Sequence, residues 1–473
     1  MAGIVSYGAY VPPTRLGLAT IAGRPARGDE AGPERAVAWS DEDAITMGVA
    51  AGANALRGFD RSEVDALFFA STTWAYREKQ AAALVARALD LRRSLYSADF
   101  ASSLRAGTGA LRAAFDAVAS GSAHRALVIA SDCRLAAPGS ALERGVGDGA
   151  AAFLVGDADP IASFEGAFAV SDEIVDVWRA EGDRFVHSWE ERFVVQEGYT
   201  PALSEAVKGL LARVGEAPTA FARACLQAPD ERSLAGAARA CGLRREQIQD
   251  AFFGRLGNAG CAFAPLLLAA ALESARPGER LLVASTGDGA EALALRATAQ
   301  VEKAGPRRGV SWHLAQRRPV RSYDRYLRAR NLDVREYEPA RDAGLSATIH
   351  LRERDEDLSF KGQRCRDCGG LQFPIQRICE RCFARDDFVL ERLADKQGRV
   401  VTYTFDWFFP TPEPPTIVTV VDIEGARVHL QLVDARPEQV KLDMPVEFAF
   451  RRIHEAGGRP NYYWKAVPRP EDG

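Results

Sequence analysis

The sequence predicts an α/β protein with an internal duplication, followed by a small metal-held knuckle and a compact β-barrel. Three observations carry this. Short apolar strands alternate with Ala-rich helical runs over residues 1–300. Four cysteines fall late in the chain as two C-x-x-C pairs, Cys365/Cys368 and Cys379/Cys382. Five short segments, alternating or β-branched and separated by Gly, Pro and Asp, close the chain.

The 473 residues exceed one ordinary domain and predict two or three. Hydrophobic residues make up 47%, enough for a sizeable core, and the formal net charge is −4. That balance argues against a general nucleic-acid or anionic-membrane binder. The opening "MAGIVSYGAYVPPTRL" lacks the charged and apolar regions of a signal peptide. The most apolar helical run, "CAFAPLLLAAALE", is too short to span a bilayer. A soluble, cytoplasmic protein with no membrane partner is expected. In that compartment clustered cysteines read as metal ligands rather than disulfides. The scattered Cys133, Cys225, Cys241 and Cys261 read as small buried hydrophobes.

Along the first region, "VDALFFAS" and "HRALVIASD" have little polar relief and read as strands buried on both faces. "EKQAAALVARALD" reads as a helix, and so does "GALRAAFDAVASG", with Gly121 as its C-terminal cap. "ADFASSLRAGTGALRAA" reads as a strand end, a tight turn and the start of a buried helix. A turn there can hold a nucleophile where the helix dipole favours an anion. The segment "GALRAAFDAVASGSAHRALVIASD" has an echo in "APLLLAAALESARPGERLLVASTGD", and a second echo follows each copy, "GDGAAAFLVGD" at Gly147 and "GDGAEALALRA" at Gly287. Two landmarks in the same order, at a spacing far above solenoid periods, predict a duplicated α/β unit.

Over residues 301–361 the composition turns to arginine, aromatics and dense charge, which reads as exposed helices and a linker. Residues 362–388 then hold "CRDCGGLQFPIQRICERC". Two knuckles with four thiolates close a tetrahedral shell suited to structural Zn²⁺, with no open position for catalysis. Over 389–473, "GRVVTYTFDWFF", "PTIVTVVDI", "GARVHLQLVD", "MPVEFAFRRI" and "NYYWKAV" suit an OB-fold barrel. Such a barrel can bind nucleic acid through exposed aromatics, and Trp407, Phe408, Phe409, Tyr462, Tyr463 and Trp464 are available. The net charge speaks against that use, and the aromatics are expected in the barrel core or a domain interface.

Five segments carry a family resemblance: "YGAYVPPTRL", "DEDAITMGVAAGANAL", "SDCRLAAPGSALERGVGDGAAAFLVGD", "VDVWRAEGDRF" and "GNAGCAFAPLLLAAALE". They resemble the thiolase superfamily and, within it, archaeal-type hydroxymethylglutaryl-CoA (HMG-CoA) synthases. Residues from 362 onward resemble the zinc-ribbon/OB-fold family called domain of unknown function 35. The resemblance implies duplicated thiolase-like α/β/α/β/α layers, a rubredoxin-like zinc ribbon and an OB-fold. It also implies a CoA or acyl-CoA ligand, with a homodimer or larger hetero-oligomer that includes a thiolase-family subunit.

The family's chemistry needs a cysteine to carry the acyl group, a glutamate to move a proton and a histidine by the substrate carbonyl. By resemblance the cysteine falls on Leu104, the glutamate on Thr72 and the histidine on Gln227, in "QAPD". The family's asparagine is kept as Asn258 in "GNAG". Three replaced roles imply a site that has lost this chemistry. Ser102, Ser103, Cys133 and Cys261 are the alternative nucleophiles, with His187 the nearest base by analogy. Arg307, Arg308, Arg317, Arg318 and Arg321 are expected either to bind the 3′-phospho-ADP of CoA together with Asn258 or to form a solvated face. Leu104 would give the cleft an apolar floor. The implied function is a non-nucleophilic scaffold and CoA cradle for a catalytic thiolase. The alternatives are a stand-alone acyl-CoA C-acyltransferase and a nucleic-acid-binding zinc-ribbon/OB protein.

Overall fold

A computed structural model describes residues 2–23, 32–304, 308–332, 347–409, 411–456 and 459–470. The chain divides into two units, Met1–Leu332 and Asp333–Gly473, taken here in turn.

The first unit opens with β1 (Gly3–Tyr10), β2 (Thr14–Gly17), β3 (Glu34–Ala36) and α1 (Ala44–Ala55). Asp43 caps α1 through a reciprocal pair of hydrogen bonds with Thr46, both 2.9 Å. Next come β4 (Ala66–Ala70), α2 (Ala81–Ala88), β5 (Tyr96–Phe100), α3 (Ala106–Ala119), β6 (Arg125–Asp132) and β7 (Gly149–Gly156). The second half supplies β8 (Ala162–Ser171), α4 (Thr200–Val214), β9 (Phe221–Leu226), α5 (Glu231–Ala240), α6 (Phe263–Ser274), β10 (Arg280–Thr286) and β11 (Gly289–Ala297).

The nine long strands form one sheet in the order β9-β10-β11-β8-β1-β7-β6-β4-β5. Around the β8–β1 junction the order reads the same in both directions: β11, β10 and β9 follow β8 as β7, β6 and β4 follow β1. The repeated segments occupy matching places, α3-β6-β7 in one half and α6-β10-β11 in the other, which is the expected duplication. Parallel pairs join β4 to β5 and β6 in one half and β9 to β10 in the other, whereas β7 and β11 run antiparallel to their neighbours. Helices α3 and α6 lie against each other and each packs on strands of both halves; α1 covers β1, β7 and β6 while α4 covers β8, β11 and β10. The layers therefore run α/β/α/β/α. Helix α6 is apolar all round because ten of its twelve residues, Phe263 to Leu272, are buried between the halves. Among the described residues, no helix is long and apolar enough to cross a membrane.

The linker expected over 301–361 does not begin where composition suggests. Residues 308–332 belong to the first unit, with α7 (Val310–Ala315), a two-residue strand Arg318–Pro319 paired to β2, and α8 (Tyr323–Ala329). The reason is a buried polar lattice under β2 and β3. Arg317 donates from Nε to both oxygens of Glu34 at 2.8 Å. Arg35 donates to the Tyr326 hydroxyl at 2.8 Å with its guanidinium 5.1 Å from that ring, and Glu143 accepts from Tyr323 at 2.8 and 2.9 Å. Leu16, Val37, Val320 and Tyr326 form a small apolar cluster beside it.

In the second unit α9 (Ala347–Asp357) leads into a three-stranded ribbon of β12 (Lys361–Cys365), β13 (Leu371–Gln372) and β14 (Phe388–Arg392). A closed barrel follows, built from β15 (Gly398–Asp406), β16 (Thr416–Ile423), β17 (Ala426–Leu432), β18 (Pro445–Ala456) and β19 (Arg459–Pro468), in the order β15-β16-β17-β19-β18. All five expected strands are present. The first stops at Asp406 rather than Phe409, because Asp406 Oδ1 accepts the Phe408 and Phe409 N–H groups at 2.8 and 3.0 Å and turns the chain. Trp407 and Phe408 consequently stand out at 66% and 98% exposure instead of entering the core, whereas Tyr462 and Trp464 are buried there. Ribbon and barrel share one seam: Phe360 stacks on Trp464, whose Nε1 donates to the Leu358 carbonyl at 2.9 Å.

Tyr326→Ala is expected to destabilise the first unit by about 3–5 kcal/mol, since it removes a buried ring and leaves Arg35 short of a partner. A urea titration of the full chain checks this, and a loss below about 1 kcal/mol would contradict the packing role assigned to residues 308–332.

Candidate functional site

The parallel strands β4, β5 and β6 of one half and β9 and β10 of the other are followed, beyond their carboxyl ends, by the loops that carry the residues singled out in the sequence. Crevices at such strand ends are where open α/β sheets bind ligands. β5 ends in the elbow, Ala101 to Arg105, before α3 begins at Ala106. Ser102 holds a left-handed φ of 64°, which gives the turn its sharpness and marks it as a strained position for a residue with a side chain. Ser103 Oγ donates to the Gly287 carbonyl at 3.0 Å and accepts the Arg105 N–H at 3.3 Å. Arg105 reaches across to the Val170 carbonyl at 3.0 Å. A Cβ at Gly287 would lie 2.6 Å from Ser103 Oγ and 2.9 Å from the Leu104 nitrogen, so the loop after β10 approaches the elbow only because a glycine stands there. Leu104 itself is half-buried.

The remaining positions are tied to one another by a continuous set of hydrogen bonds. Thr286, next to Gly287, donates its N–H to Gln227 Oε1 at 3.3 Å. Gln227 is 2% exposed, and its carbonyl accepts from the Tyr199 hydroxyl at 2.9 Å. Asn258 Nδ2 donates to the neighbouring Ala228 carbonyl at 2.9 Å, and its Oδ1 accepts the Gly260 N–H at 2.9 Å. The chain then meets Asp132, at the end of β6, which is fully buried. Asp132 accepts from Cys261 N (2.8 Å), Thr72 N (2.7 Å), Thr72 Oγ1 (2.9 Å), Ser71 Oγ (3.0 Å) and Thr73 Oγ1 (3.0 Å). Gly260 has φ +59°, and a Cβ there would sit 2.2 Å from Asp132 Oδ2. Thr72, Gln227, Asn258 and the elbow thus belong to one constellation. The sequence carries one signal for Asp132, a charged residue closing the largely apolar strand "ALVIASD".

The alternative nucleophiles sit in environments that keep them protonated or engaged. Cys133 is half-buried, not fully buried as expected, and burial pushes its pKa up to about 12. Its backbone N–H donates to Thr73 Oγ1 at 3.0 Å. Cys261 is buried, and burial with the adjacent Asp132 charge raises its pKa well above the thiol range. Ser103 has no histidine or carboxylate partner among the described residues. His187 lies on an exposed two-residue strand paired to Val177–Trp178, 3.3 Å from Asp183 and stacked on Trp178.

The arginine group is dispersed in its contacts. Arg307 lies outside the described residues. Arg308 sits 4.7 Å over the Trp312 ring, Arg317 serves Glu34, Arg318 reaches Thr14 Oγ1 at 3.2 Å, and Arg321 is exposed.

In the second unit the four cysteines meet. The sulfurs of Cys365, Cys368, Cys379 and Cys382 all lie within 4.8 Å of one another. Cys365–Cys382 and Cys368–Cys379 are each 3.6 Å apart, too long for a disulfide and close to the about 3.8 Å edge of a tetrahedron with Zn–S bonds near 2.3 Å. A set of four soft thiolates suits zinc in a closed structural site.

The layered duplication and the crevice at its strand ends define a thiolase-type α/β fold. The chain belongs to the hydroxymethylglutaryl-CoA synthase family. It is 33% identical over 341 residues to the hydroxymethylglutaryl-CoA synthase of Archaeoglobus fulgidus, covering 98% of that protein and 70% of this chain. The Pyrococcus horikoshii hydroxymethylglutaryl-CoA synthase is 34% identical over 303 residues, covering 83% of that protein and 61% of this chain. Among solved structures, MvaS in complex with 3-hydroxy-3-methylglutaryl coenzyme A shares the fold with a TM-score of 0.61 at 23% identity, over 72% of this chain and 95% of that one. The 3-oxoacyl-[acyl-carrier-protein] synthase III of Aquifex aeolicus does so with a TM-score of 0.56 at 21% identity, over 63% of this chain and 100% of that one. Residues 352–388 match the family described as ChsH2, rubredoxin-like zinc ribbon domain, and residues 391–451 match ChsH2, C-terminal OB-fold domain.

Purified chain is expected to carry a single zinc ion by elemental analysis, and Cys365→Ser/Cys379→Ser to carry none, with loss of ribbon structure. Substoichiometric zinc in the wild-type chain, or zinc retained by the double variant, would contradict a four-thiolate centre.

Proposed function

We propose that this chain is an acyl-CoA-binding, synthase-like subunit that holds a thioester without covalent capture and serves a thiolase-family partner in the cytoplasm. The joint reaction would make or break a carbon–carbon bond beside the thioester. The observation that carries this reading is the elbow. The position that by resemblance corresponds to the family's nucleophile is Leu104, a hydrocarbon, on a strand–turn–helix. Thr72, which by resemblance corresponds to the acid–base position, spends both its hydroxyl and its N–H on Asp132. Gln227, which by resemblance corresponds to the histidine position, is buried and engaged with Thr286. None of the three can attack a thioester, move a proton near neutral pH or donate as imidazolium.

The residues present support binding and positioning. Leu104 offers an apolar contact for an acyl chain at the cleft floor, and Asn258 is fixed by Ala228 and Gly260. Since Arg317 is committed to Glu34, the proposed ligands of the CoA phosphates are Arg308, Arg318 and Arg321. β5 is the edge strand of the nine-stranded sheet and is only half-covered, which suits pairing with a second copy. The ChsH2-type ribbon and barrel support assembly with another subunit. A second reading, a stand-alone acyltransferase acting through Ser103, draws on that serine's place at the elbow. It needs positioning and oxyanion stabilisation alone to supply the rate.

Assay of the purified chain with acyl-CoA substrates is expected to show no turnover alone and turnover once a thiolase-family partner is added. Full turnover by the chain alone, abolished by Ser103→Ala or Cys133→Ala, would replace the partner reading with the stand-alone one. At pH 7–8 Cys133 is expected to resist alkylation by iodoacetamide, since a thiol with a pKa near 12 carries almost no thiolate there.

A further inference from the structure

One face of the first unit leaves aromatic rings in water. Between β8 and α4, Val177–Trp178 and His187–Ser188 pair as a short hairpin, and a helical segment beginning at Glu191 runs on into α4. Trp178, Trp189 and Phe193 along this stretch are 39%, 54% and 49% exposed. Trp178 stacks on His187 with ring centroids 5.7 Å apart and meets Trp189 at 6.2 Å, so these rings form one patch. The backbone under it is anchored. Val186 is buried and donates to the Leu135 carbonyl at 2.8 Å, and Trp189 donates to the Asp176 carbonyl at 3.0 Å. The Arg184 guanidinium donates to the Arg330 carbonyl at 2.9 Å, and that of Arg179 to the Thr72 carbonyl. Rings exposed on a fixed frame lose little freedom on contact and mark an interaction surface.

The charge around the patch selects what can cover it. Residues 172–197 hold eight Asp or Glu against three Arg. Asp172, Glu173, Glu190, Glu191 and Glu197 are exposed, and their side chains make no hydrogen bond or ion pair with any described residue. Glu190 and Glu191 directly follow Trp189, which sets carboxylates beside an indole. Such a rim repels the phosphates of a nucleotide, a nucleic acid or an anionic lipid. Contact between two copies through this face would set carboxylate against carboxylate. A wholly apolar occupant would strip the carboxylates of water and replace none of its hydrogen bonds. An arginine side chain meets both features at once, because its guanidinium plane stacks on an indole while its fork pairs with a carboxylate.

We infer that the face built on Trp178, Trp189 and Phe193 docks an arginine-rich segment of a partner polypeptide, its guanidinium groups stacked on the indoles and paired with Glu190 and Glu191. This goes beyond the acyl-CoA reading above and does not depend on it.

Fluorescence anisotropy with the full, zinc-loaded chain tests this, using a labelled, end-blocked peptide of Ala-Ala-Arg repeats and its Ala-Ala-Lys counterpart. The arginine peptide is expected to bind about 5- to 10-fold tighter than the lysine peptide of equal charge. Trp178→Ala/Trp189→Ala is expected to weaken it about 10-fold and to abolish the preference for arginine. Glu190→Gln/Glu191→Gln is expected to weaken it by a similar factor and to flatten its salt dependence. The control Glu302→Gln/Glu438→Gln removes two exposed carboxylates elsewhere and is expected to leave binding unchanged. No binding, equal affinity for the two peptides, or a loss in the control as large as in the Glu190/Glu191 variant overturns the inference. So does self-association of the chain that Trp178→Ala/Trp189→Ala abolishes, which assigns the face to a second copy. Binding to phosphatidylserine vesicles that is lost in the same variant also overturns it and assigns the face to a membrane.

Discussion

The architecture of the cleft depends on one buried carboxylate. Asp132 closes the apolar strand β6 and is fully enclosed. An ionised carboxylate in that position is tolerable only if its lone pairs are filled, and five donors fill them. Four come from the loop after β4 in the first half of the sheet, and the fifth is the backbone of Cys261, just before α6 in the second half. One side chain therefore fastens the loop containing Thr72 to the segment containing Asn258 and Cys261, across the duplication. Removing it would leave the Ser71–Thr73 loop and the Gly260–Cys261 backbone without their shared acceptor.

That constraint explains how Thr72, Asn258 and Cys261 stay assembled although they come from distant stretches of chain. The Thr72 hydroxyl and N–H, both given to Asp132, hold the loop in place. The Gln227 side chain accepts the Thr286 N–H at the end of β10, and Gly287 just beyond presses against the elbow. The zinc ribbon answers a different need. It has little apolar core of its own, so four thiolates around an ion substitute for the missing burial, and the Phe360–Trp464 stack joins it to the barrel.

How much of this was legible follows from the range of the forces involved. Signals confined to a few residues were readable. The buried strands, the four cysteines, the alternating barrel strands and the repeated helix–strand–strand unit all appear where the sequence places them. Contacts across long stretches of chain were not. Asp132 binds residues 60 and 129 positions away, and nothing local in "SDCR" announces five donors. The stretch after residue 301 misled because dense arginine resembles a solvated linker. In fact Arg317 seals the buried Glu34, and the hydroxyl of Tyr326 accepts from Arg35. At Trp407 to Phe409, β-propensity argued for a continuing strand, but a single Asp406 carboxylate turns the backbone outward.

The claim on which the account turns is that the elbow holds its thioester ligand without forming a bond to it. Intact-mass measurement of the chain after incubation with an acyl-CoA, followed by removal of free ligand under denaturing conditions, tests this directly. An unchanged mass is predicted. A stoichiometric increase equal to the acyl group, mapped to Ser102, Ser103, Cys133 or Cys261, would contradict it.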